Sequence, residues 1–262
     1  MKIQFEQINN VRDLGGLLTD DGRRIVSGKL IRGSRLSVAG AEDLRKLAGL
    51  IDMIVDFRTA REMEEKPDPK LSGIMHYHIP IIELLTVGIT REQSSDEEMI
   101  RKLLSNPDGA LQYMCRMYQM FVTEEHARNQ YARFIRLLLT PREKAVYWHC
   151  TAGKDRAGIA TVLILHLLGV GSELIREDYL QSNKDYLNPE MPRLMGMIEK
   201  KLGMKEPGVE KALRILFGAR EEYLDALYGK IRELYGDMNA FFEQGLRINS
   251  VERDRLRDLY VM

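Results

Sequence analysis

Residues 149–156 read His-Cys-Thr-Ala-Gly-Lys-Asp-Arg, and five residues separate Cys150 from Arg156. This spacing lets a loop curl back so that the thiol and the guanidinium face the same anion. A cysteine attacks as its thiolate, and a planar guanidinium donates to two oxygens of one phosphoryl group. The residue types therefore predict a loop that binds phosphate and attacks it through Cys150, with Arg156 holding the oxygens.

The elements on either side must position this loop. Residues 144–149 are short, apolar and rich in β-formers, which predicts a buried strand. Residues 157–168 are too apolar for a surface helix and predict a buried one. A loop that enters a helix N-terminus points its main-chain N–H groups at an anion and favours the thiolate. The residues expected to bind the phosphate in this way are Thr151, Ala152, Gly153 and Lys154.

Composition and charge narrow the class of protein. The 262 residues are 44% hydrophobic and 30% charged, which suits one domain over 1–262. Lys and Arg balance Asp and Glu at 39 each, which argues against nucleic acid as a partner. No apolar run approaches the ~20 residues of a membrane span, and the N-terminus lacks a signal-peptide core. We expect a cytoplasmic protein with no integral membrane segment, with export by a non-standard route left open. The oligomeric state is not predicted.

The order of elements along the chain predicts the fold class. Short strands come first, strand–helix alternation follows, and helices end the chain, which favours an α/β sheet core packed by helices. Residues 82–106 are polar in their middle and are predicted to form a loop and helix that act as a lid. Residues 191–262 are predicted to be a helical C-terminal part of the same domain.

The segment from Cys150 to Arg156 matches the C-x5-R signature of cysteine-dependent phosphatases. The chain resembles the bacterial tyrosine-protein phosphatase family with dual-specificity and phosphoinositide-phosphatase character. Further matching segments, in the order of the family, are 10–16 (Asn-Val-Arg-Asp-Leu-Gly-Gly), 31–36 (Ile-Arg-Gly-Ser-Arg-Leu), 55–59 (Val-Asp-Phe-Arg-Thr) with Glu62, and the stretches 222–224, 235–236 and 245–246. The resemblance therefore covers nearly the whole chain.

This resemblance implies both a fold and a reaction. The fold is phosphotyrosine-phosphatase-like, with a central mixed or parallel sheet surrounded by helices, a helical lid and a C-terminal helical extension. The reaction is hydrolysis of phosphate monoesters through a cysteinyl-phosphate, without a metal or organic cofactor. Phosphotyrosine is the first implied substrate, and phosphoserine, phosphothreonine and phosphoinositides are further candidates.

Two carboxyl groups are candidates for the acid that protonates the leaving oxygen. Asp56 ends a predicted strand, where α/β folds place their chemistry; it could equally orient Arg156, cap a helix, or pair with Arg58 or Arg61. Asp155 lies inside the loop and could instead accept hydrogen bonds from loop N–H groups. If neither is the acid, the lid residues Glu83 and Asp96 are the next candidates.

Two more residues of 149–156, Lys154 and His149, each have two possible roles. Lys154 adds positive charge to the loop, and lysine there is similar to lipid-phosphatase loops, so we expect contact with a second phosphate rather than a solvated side chain. His149 is expected to be a buried hydrogen-bond partner that shapes the loop, because a thiolate needs no base once it has formed.

Ala157 departs from the family pattern. The family usually has serine or threonine after the arginine, and that hydroxyl is placed to help the sulfur leave when the intermediate is hydrolysed. We therefore predict that alanine slows hydrolysis of the phosphoenzyme.

Two other classes of protein remain open from the sequence. A sulfurtransferase also uses a loop cysteine on an α/β sheet, but Arg156 and Lys154 favour a phosphate-type oxyanion. A phosphate-binding module with weak turnover is supported by Ala157 alone.

Overall fold

The computed structural model describes residues 1–82, 95–204 and 207–262. Within them, five strands form one sheet in the order β1-β2-β5-β3-β4. The strands are β1 (Arg12–Asp13), β2 (Leu30–Gly33), β3 (Ile51–Asp56), β4 (Met75–His78) and β5 (Ala145–His149). β1 is antiparallel to β2, and the other pairs are parallel. The predicted mixed α/β fold is confirmed.

Helices surround this sheet and form most of the chain after β5. The helices are α1 (Ala41–Leu50), α2 (Ala60–Glu65), α3 (Ser95–Ser105), α4 (Pro107–Thr123), α5 (Glu125–Leu137), α6 (Arg156–Leu168), α7 (Ser172–Leu180), α8 (Asn188–Leu202), α9 (Pro207–Phe217), α10 (Glu221–Tyr235), α11 (Met238–Ala240) and α12 (Ser250–Tyr260). A 3-10 turn spans Leu36–Val38, and π-helical turns span Asn183–Leu187 and Phe241–Gly245. No helix of the described residues is long and apolar enough to span a membrane.

The central strand and the helix after it form the most buried part of the core. All residues of β5 are buried, and it lies between β2 and β3. In α6 every residue except His166 is buried, as expected for a helix that is apolar on all sides. The Trp148 indole N–H donates to the Thr161 hydroxyl at 3.2 Å and ties the strand to the helix. The loop between them therefore has a rigid element at each end.

The parallel register brings three strand ends to one edge of the sheet. Gly33 of β2 and Asp56 of β3 are both register partners of His149. Cys150 follows His149 directly, so the thiol lies where the carboxyl ends of neighbouring parallel strands meet. This edge is the usual location of a site in an α/β sheet.

Three local expectations differ from the structure. The sequence pattern of 172–187 predicts one helix, but α7 ends at Leu180 and is followed by the π-helical turn. Ser182 and Asp185 are buried against Arg12, a contact with the N-terminal segment that periodicity cannot include. Residues 24–26 are rich in β-formers and predict a short strand, but they contribute only isolated bridges. In the predicted lid, α3 is present, whereas residues 83–94 and the side chain of Asp96 lie outside the described residues.

Candidate active site

The loop 150–156, called the phosphate loop below, packs closely on the end of β2. Gly153 has φ +72°, a left-handed conformation that favours glycine. A Cβ on Gly153 would lie 2.4 Å from the carbonyl oxygen of Gly33, so the close approach also excludes a side chain. Cys150 is buried, with 2% of its surface exposed. The glycine of the segment is therefore required by both backbone conformation and space.

Three consecutive carbonyl groups of the phosphate loop are bound by residues outside it. The main-chain N–H of Arg35 donates to the Thr151 oxygen at 3.3 Å. The Asn10 amide donates to the Ala152 oxygen at 3.0 Å. The Arg32 guanidinium donates to the Gly153 oxygen. The donors all belong to the two N-terminal segments that carried the family resemblance.

Arg156 is held in a bidentate ion pair with Glu62. Its Nη1 lies 2.6 Å from Oε2 and its Nη2 lies 3.0 Å from Oε1. The Thr151 hydroxyl also donates to Glu62. Burial raises the pKa of Glu62, but the charge and hydrogen bonds of Arg156 lower it more, so the pKa lies below its usual range and the carboxylate is ionised. Arg156 is itself buried, with a raised pKa because Glu62 outweighs desolvation.

Glu62 is the main residue of the site that sequence reasoning missed. In the sequence, Glu62 is indicated only by the family resemblance. Its local signal is Thr59 followed three residues later by Glu62, which forms a capping box at the start of α2. That signal predicts a helix N-terminus and says nothing of Arg156, which lies 94 positions along the chain.

Asp56 is paired with Arg58 instead of Arg156. Its Oδ1 and Oδ2 both accept from the Arg58 Nε at 3.0 Å, and Oδ2 accepts from Nη2 at 2.7 Å. Burial raises the pKa of Asp56, but His149 and Arg58 lower it further, so the net pKa is below its usual range. The ion pair with Arg58, one of the alternatives left open by the sequence, is therefore present and is buried. Among the described residues, no hydrogen bond or ion pair joins Asp56 to Arg156.

His149 lies in the same charge network. Its Nε2 is 3.0 Å from Oδ2 of Asp68, and its Nδ1 is 3.8 Å from Oδ1 of Asp56. Burial lowers the pKa of His149, but the two carboxylates raise it more, so the net pKa lies above its usual value. The imidazole is fully buried, as the sequence predicts; its role in shaping the loop stays a prediction.

The carboxylates of Asp56 and Asp68 and the ring of His149 also lie close enough to hold a cation, with ligand atoms within 4.8 Å of one another. The Nη2 atom of Arg58 already lies 2.7 Å from Oδ2 of Asp56 and 2.8 Å from Oδ2 of Asp68. The guanidinium therefore supplies the positive charge that this cluster needs.

Lys154 points into the protein. Its ammonium donates to the carbonyls of Leu216 at 3.2 Å and Gly218 at 2.9 Å, and it lies 2.8 Å from Oδ1 of Asp155. Only 2% of the residue is exposed. The expected contact with a second phosphate is not the arrangement seen. The reason is the end of α9, whose last carbonyls lack partners within the helix and attract a cation.

Asp155 faces a buried pair of tyrosines. The Tyr118 hydroxyl donates to Oδ1 of Asp155 at 2.6 Å and lies 2.7 Å from the Tyr179 hydroxyl. Burial, with the nearby carboxylate, raises the pKa of Tyr118 well above its usual value, so the tyrosine remains a donor. Asp155 precedes α6 but makes no side-chain cap hydrogen bond. Its carboxyl group thus turns away from the helix N–H groups.

Ala157 occupies a fully buried position at the start of α6. Its carbonyl accepts from the Thr161 hydroxyl at 2.8 Å and from the Trp148 indole at 3.3 Å. The chain therefore places the residue after Arg156 firmly, but with a methyl group where the family resemblance implies a hydroxyl.

The fold and the site together define a class of protein. A buried thiol at the carboxyl end of a central parallel strand, followed by a glycine-containing loop and a buried arginine at a helix N-terminus, suits an enzyme that acts on a phosphate ester.

Comparisons with known proteins agree with that class. The family model described as the tyrosine phosphatase family matches residues 3–262. A "putative tyrosine-protein phosphatase" of Cupriavidus necator is 31% identical over 254 residues, covering 94% of this chain and 85% of the relative. The triple specificity protein phosphatase PtpB of Mycobacterium tuberculosis is 28% identical over 274 residues, covering 94% and 98%. A tyrosine-protein phosphatase of Nostoc commune is 27% identical over 175 residues, covering 66% and 53%.

The chain belongs to the tyrosine phosphatase family. It is a phosphoric monoester hydrolase, and its substrates carry phosphate. The roles of the individual site residues stay predictions.

Proposed function

We propose that this enzyme hydrolyses phosphate monoesters, phosphotyrosine first among them, through a cysteinyl-phosphate on Cys150. The observation that carries the proposal is the placement of Cys150 and Arg156 at the two ends of one loop, on the carboxyl edge of the sheet. The loop carbonyls bind outward to Arg35, Asn10 and Arg32. This arrangement supports a cradle for an oxyanion inside the loop.

The proposed reaction has two displacements. The Cys150 thiolate attacks phosphorus, the bond from phosphorus to the leaving oxygen breaks, and an acid gives that oxygen a proton. Water then attacks the phosphorus, the sulfur–phosphorus bond breaks, and the water's proton returns to the carboxylate. Arg156 and the loop N–H groups Thr151 to Lys154 hold the other oxygens, which stabilises charge as it develops.

We propose Asp155 as the acid in preference to Asp56. Both oxygens of Asp56 accept from Arg58, and its pKa is held low. Asp155 is held through Oδ1, by Tyr118 and Lys154. Within the described residues, Oδ2 of Asp155 makes no hydrogen bond. A carboxyl group with one oxygen left over is better suited to exchange a proton with a substrate.

The position of Lys154 bears on the substrate. Phosphoinositides were expected because of a lysine that reaches a second phosphate. Here the ammonium would have to leave the carbonyls of Leu216 and Gly218 and the carboxylate of Asp155. We therefore propose phosphotyrosine, and with it phosphoserine and phosphothreonine, ahead of phosphoinositides.

Turnover of an aryl phosphate tests the proposal. The enzyme should act equally well with and without EDTA. The Cys150→Ser variant should be inactive but should unfold at the same temperature as the wild type. Metal-dependent turnover, or activity kept by Cys150→Ser, would contradict the mechanism. Cyanide-dependent formation of thiocyanate from thiosulfate would indicate a sulfurtransferase. Phosphate binding without turnover would indicate a binding module.

A further inference from the structure

Two side chains of the N-terminal segments reach the outer face of the phosphate loop. We propose that Asn10 and Arg32 are positioning residues, which hold the loop in its anion-binding shape by binding the carbonyls of Ala152 and Gly153. The inference rests on the proposed function, because it assigns the loop an oxyanion to hold. It concerns side chains whose hydrogen bonds go to the loop carbonyls and not to Cys150.

The geometry of the peptide unit connects these outer contacts to the inside of the loop. In a trans peptide the C=O of one residue and the N–H of the next point in opposite directions. The carbonyls of Thr151, Ala152 and Gly153 are all held from outside. The N–H groups that follow them, on residues 152–154, are therefore directed to the other side. If the outer donors are lost, these peptides can rotate and the N–H groups no longer converge.

Arg32 is a buried, paired cation and not a solvent-exposed charge. Its side chain is fully buried, and desolvation together with Arg12 lowers its pKa to about 10. A buried charge is costly unless it is paired. Asp178 of α7 supplies the partner, with Oδ2 at 3.1 Å from Nη1 of Arg32 and Oδ1 at 2.9 Å from Nε of Arg12. The guanidinium is thus fixed with Nη2 on the Gly153 carbonyl.

The amide of Asn10 is oriented by its own neighbours. Its oxygen accepts from Nη1 of Arg12, so its nitrogen is the end that faces the Ala152 carbonyl. Asn10 has φ +60°, a left-handed conformation that asparagine adopts more readily than most residues. Both the backbone and the side chain of this position therefore suit the contact. A single buried ion-pair network, centred on Asp178, orients both donors.

These contacts give a physical reason for two segments of the sequence that are distant from the catalytic residues. Asn10 lies 142 positions before Ala152, and Arg32 lies 121 positions before Gly153. Neither reaction step requires these side chains to exchange a proton or bind an oxygen. Their effect is on the shape of the loop, and so on its affinity for any tetrahedral oxyanion.

Protection of Cys150 by inorganic phosphate tests the proposal without turnover. The protein is alkylated with iodoacetamide at mildly acidic pH over a range of phosphate concentrations, and mass spectrometry follows the peptide that contains Cys150. Arg32→Lys keeps the charge but loses the fork that binds Asp178 and Gly153 together. Asn10→Gly keeps the left-handed backbone and removes the amide. Neither substitution changes the net charge near the thiolate.

Two matched controls separate loop shape from general damage. Asn9→Gly makes the same change one position away, at a side chain that has no hydrogen bond to the loop among the described residues. Arg24→Lys alters an exposed arginine that donates to a main-chain carbonyl, that of Gly16, away from the loop.

We expect alkylation to slow in both test variants and the protecting phosphate concentration to rise about tenfold, the effect of losing one buried hydrogen bond of ~1.4 kcal/mol. The controls should match the wild type. Wild-type phosphate protection in a folded Asn10→Gly protein overturns the proposal, even if Arg32→Lys fails to fold. If phosphate does not protect wild-type Cys150 at all, the proposed function itself is wrong.

Discussion

The two sides of the phosphate loop hold their carboxylates in different ways. On the sheet side, Asp56 and Asp68 share Arg58 and lie beside His149. On the helix side, a single carboxylate, that of Asp155, meets one lysine and one tyrosine. Arg58 binds both oxygens of Asp56, whereas Lys154 and the Tyr118 hydroxyl bind Asp155 through one oxygen.

This difference indicates a division of work. A carboxylate whose two oxygens both accept from a guanidinium is stabilised in its charged form, and so it is a poor proton donor. The sheet side is therefore suited to fixing the end of β5 and, through Glu62, the direction of Arg156. The helix side is suited to the proton transfer.

Replacing Asp155 should mainly lower the rate, whereas replacing Asp56 should mainly lower the stability. Asp155→Asn should lower kcat for phosphotyrosine by about 10²–10⁴-fold, the usual contribution of general acid catalysis. It should also flatten the basic limb of the pH–rate profile, with a smaller loss for an aryl phosphate whose leaving group needs no protonation. Asp56→Asn should mainly lower stability, because it leaves the buried Arg58 without one partner.

Steady-state kinetics and thermal melting of both variants check this prediction. A flattened basic limb in Asp56→Asn together with an unchanged one in Asp155→Asn would reverse the assignment of the two sides.

Glu62→Gln should disorient Arg156. The charge-assisted pair is worth about 1.5–3 kcal/mol, so kcat/KM should fall roughly ten- to hundredfold. A guanidinium has five N–H donors, so Glu62 can orient Arg156 while phosphate binds another edge. Glu65→Gln, on the same helix but paired with Arg61 at the surface, is the matched control. Faster turnover in Glu62→Gln would instead mean that the carboxylate competes with substrate.

Lys154→Met should lower the free energy of unfolding by about 1–3 kcal/mol, because the end of α9 and Asp155 lose their buried cation. Activity on phosphotyrosine and on a phosphoinositide should fall to the same extent. Lys144→Met, which removes an exposed lysine from the Ala48 carbonyl, serves as the control. Unchanged stability with a loss confined to phosphoinositides would show that Lys154 binds substrate.

Ala157→Thr should supply the hydroxyl that we expect to help the sulfur leave. One hydrogen bond of about 1 kcal/mol corresponds to roughly fivefold faster hydrolysis of the phosphoenzyme. Rapid-quench kinetics should show a smaller burst and faster steady turnover. If both remain as in the wild type, the hydroxyl has no such role here.

The pH dependence of the free energy of unfolding tests the role of His149 on the sheet side, and we expect this effect to be the smallest. The folded-state pKa of His149 is raised, because Asp56 and Asp68 outweigh desolvation. Its contribution to stability is therefore fully present below the unfolded pKa of about 6.5 and is lost as the pH rises through the folded-state value. Urea midpoints measured across this range should fall for the wild type and stay flatter for His149→Gln. Parallel curves would mean that His149 is buried in its neutral form.

The parts of the fold and site that were predictable are the local ones. The apolar strand before Cys150, the apolar helix after Arg156 and the five-residue spacing between them are all visible within 25 residues of sequence. Gly153 was likewise expected in a loop, and the structure adds the approach of Gly33 that excludes a side chain.

The unpredicted parts depend on contacts between distant residues. Lys154 turns inward because Leu216 and Gly218 offer carbonyls 62 and 64 positions later. The carboxylate on Arg156 comes from Glu62, whose local pattern predicts only a helix cap. Local charge and periodicity cannot show which distant residue a side chain contacts. The partners of Lys154 and Arg156 could therefore be found only in the structure.

The most direct test of the proposed mechanism is the chemical identity of the intermediate. The enzyme is quenched in acid during turnover of a phosphotyrosine peptide, digested, and analysed by mass spectrometry for phosphate on the peptide that contains Cys150. We predict one phosphate on the Cys150 sulfur, absent in Cys150→Ser and present at a lower level in Ala157→Thr. Turnover with no phosphoprotein at any quench time, or with phosphate on another residue, would contradict it.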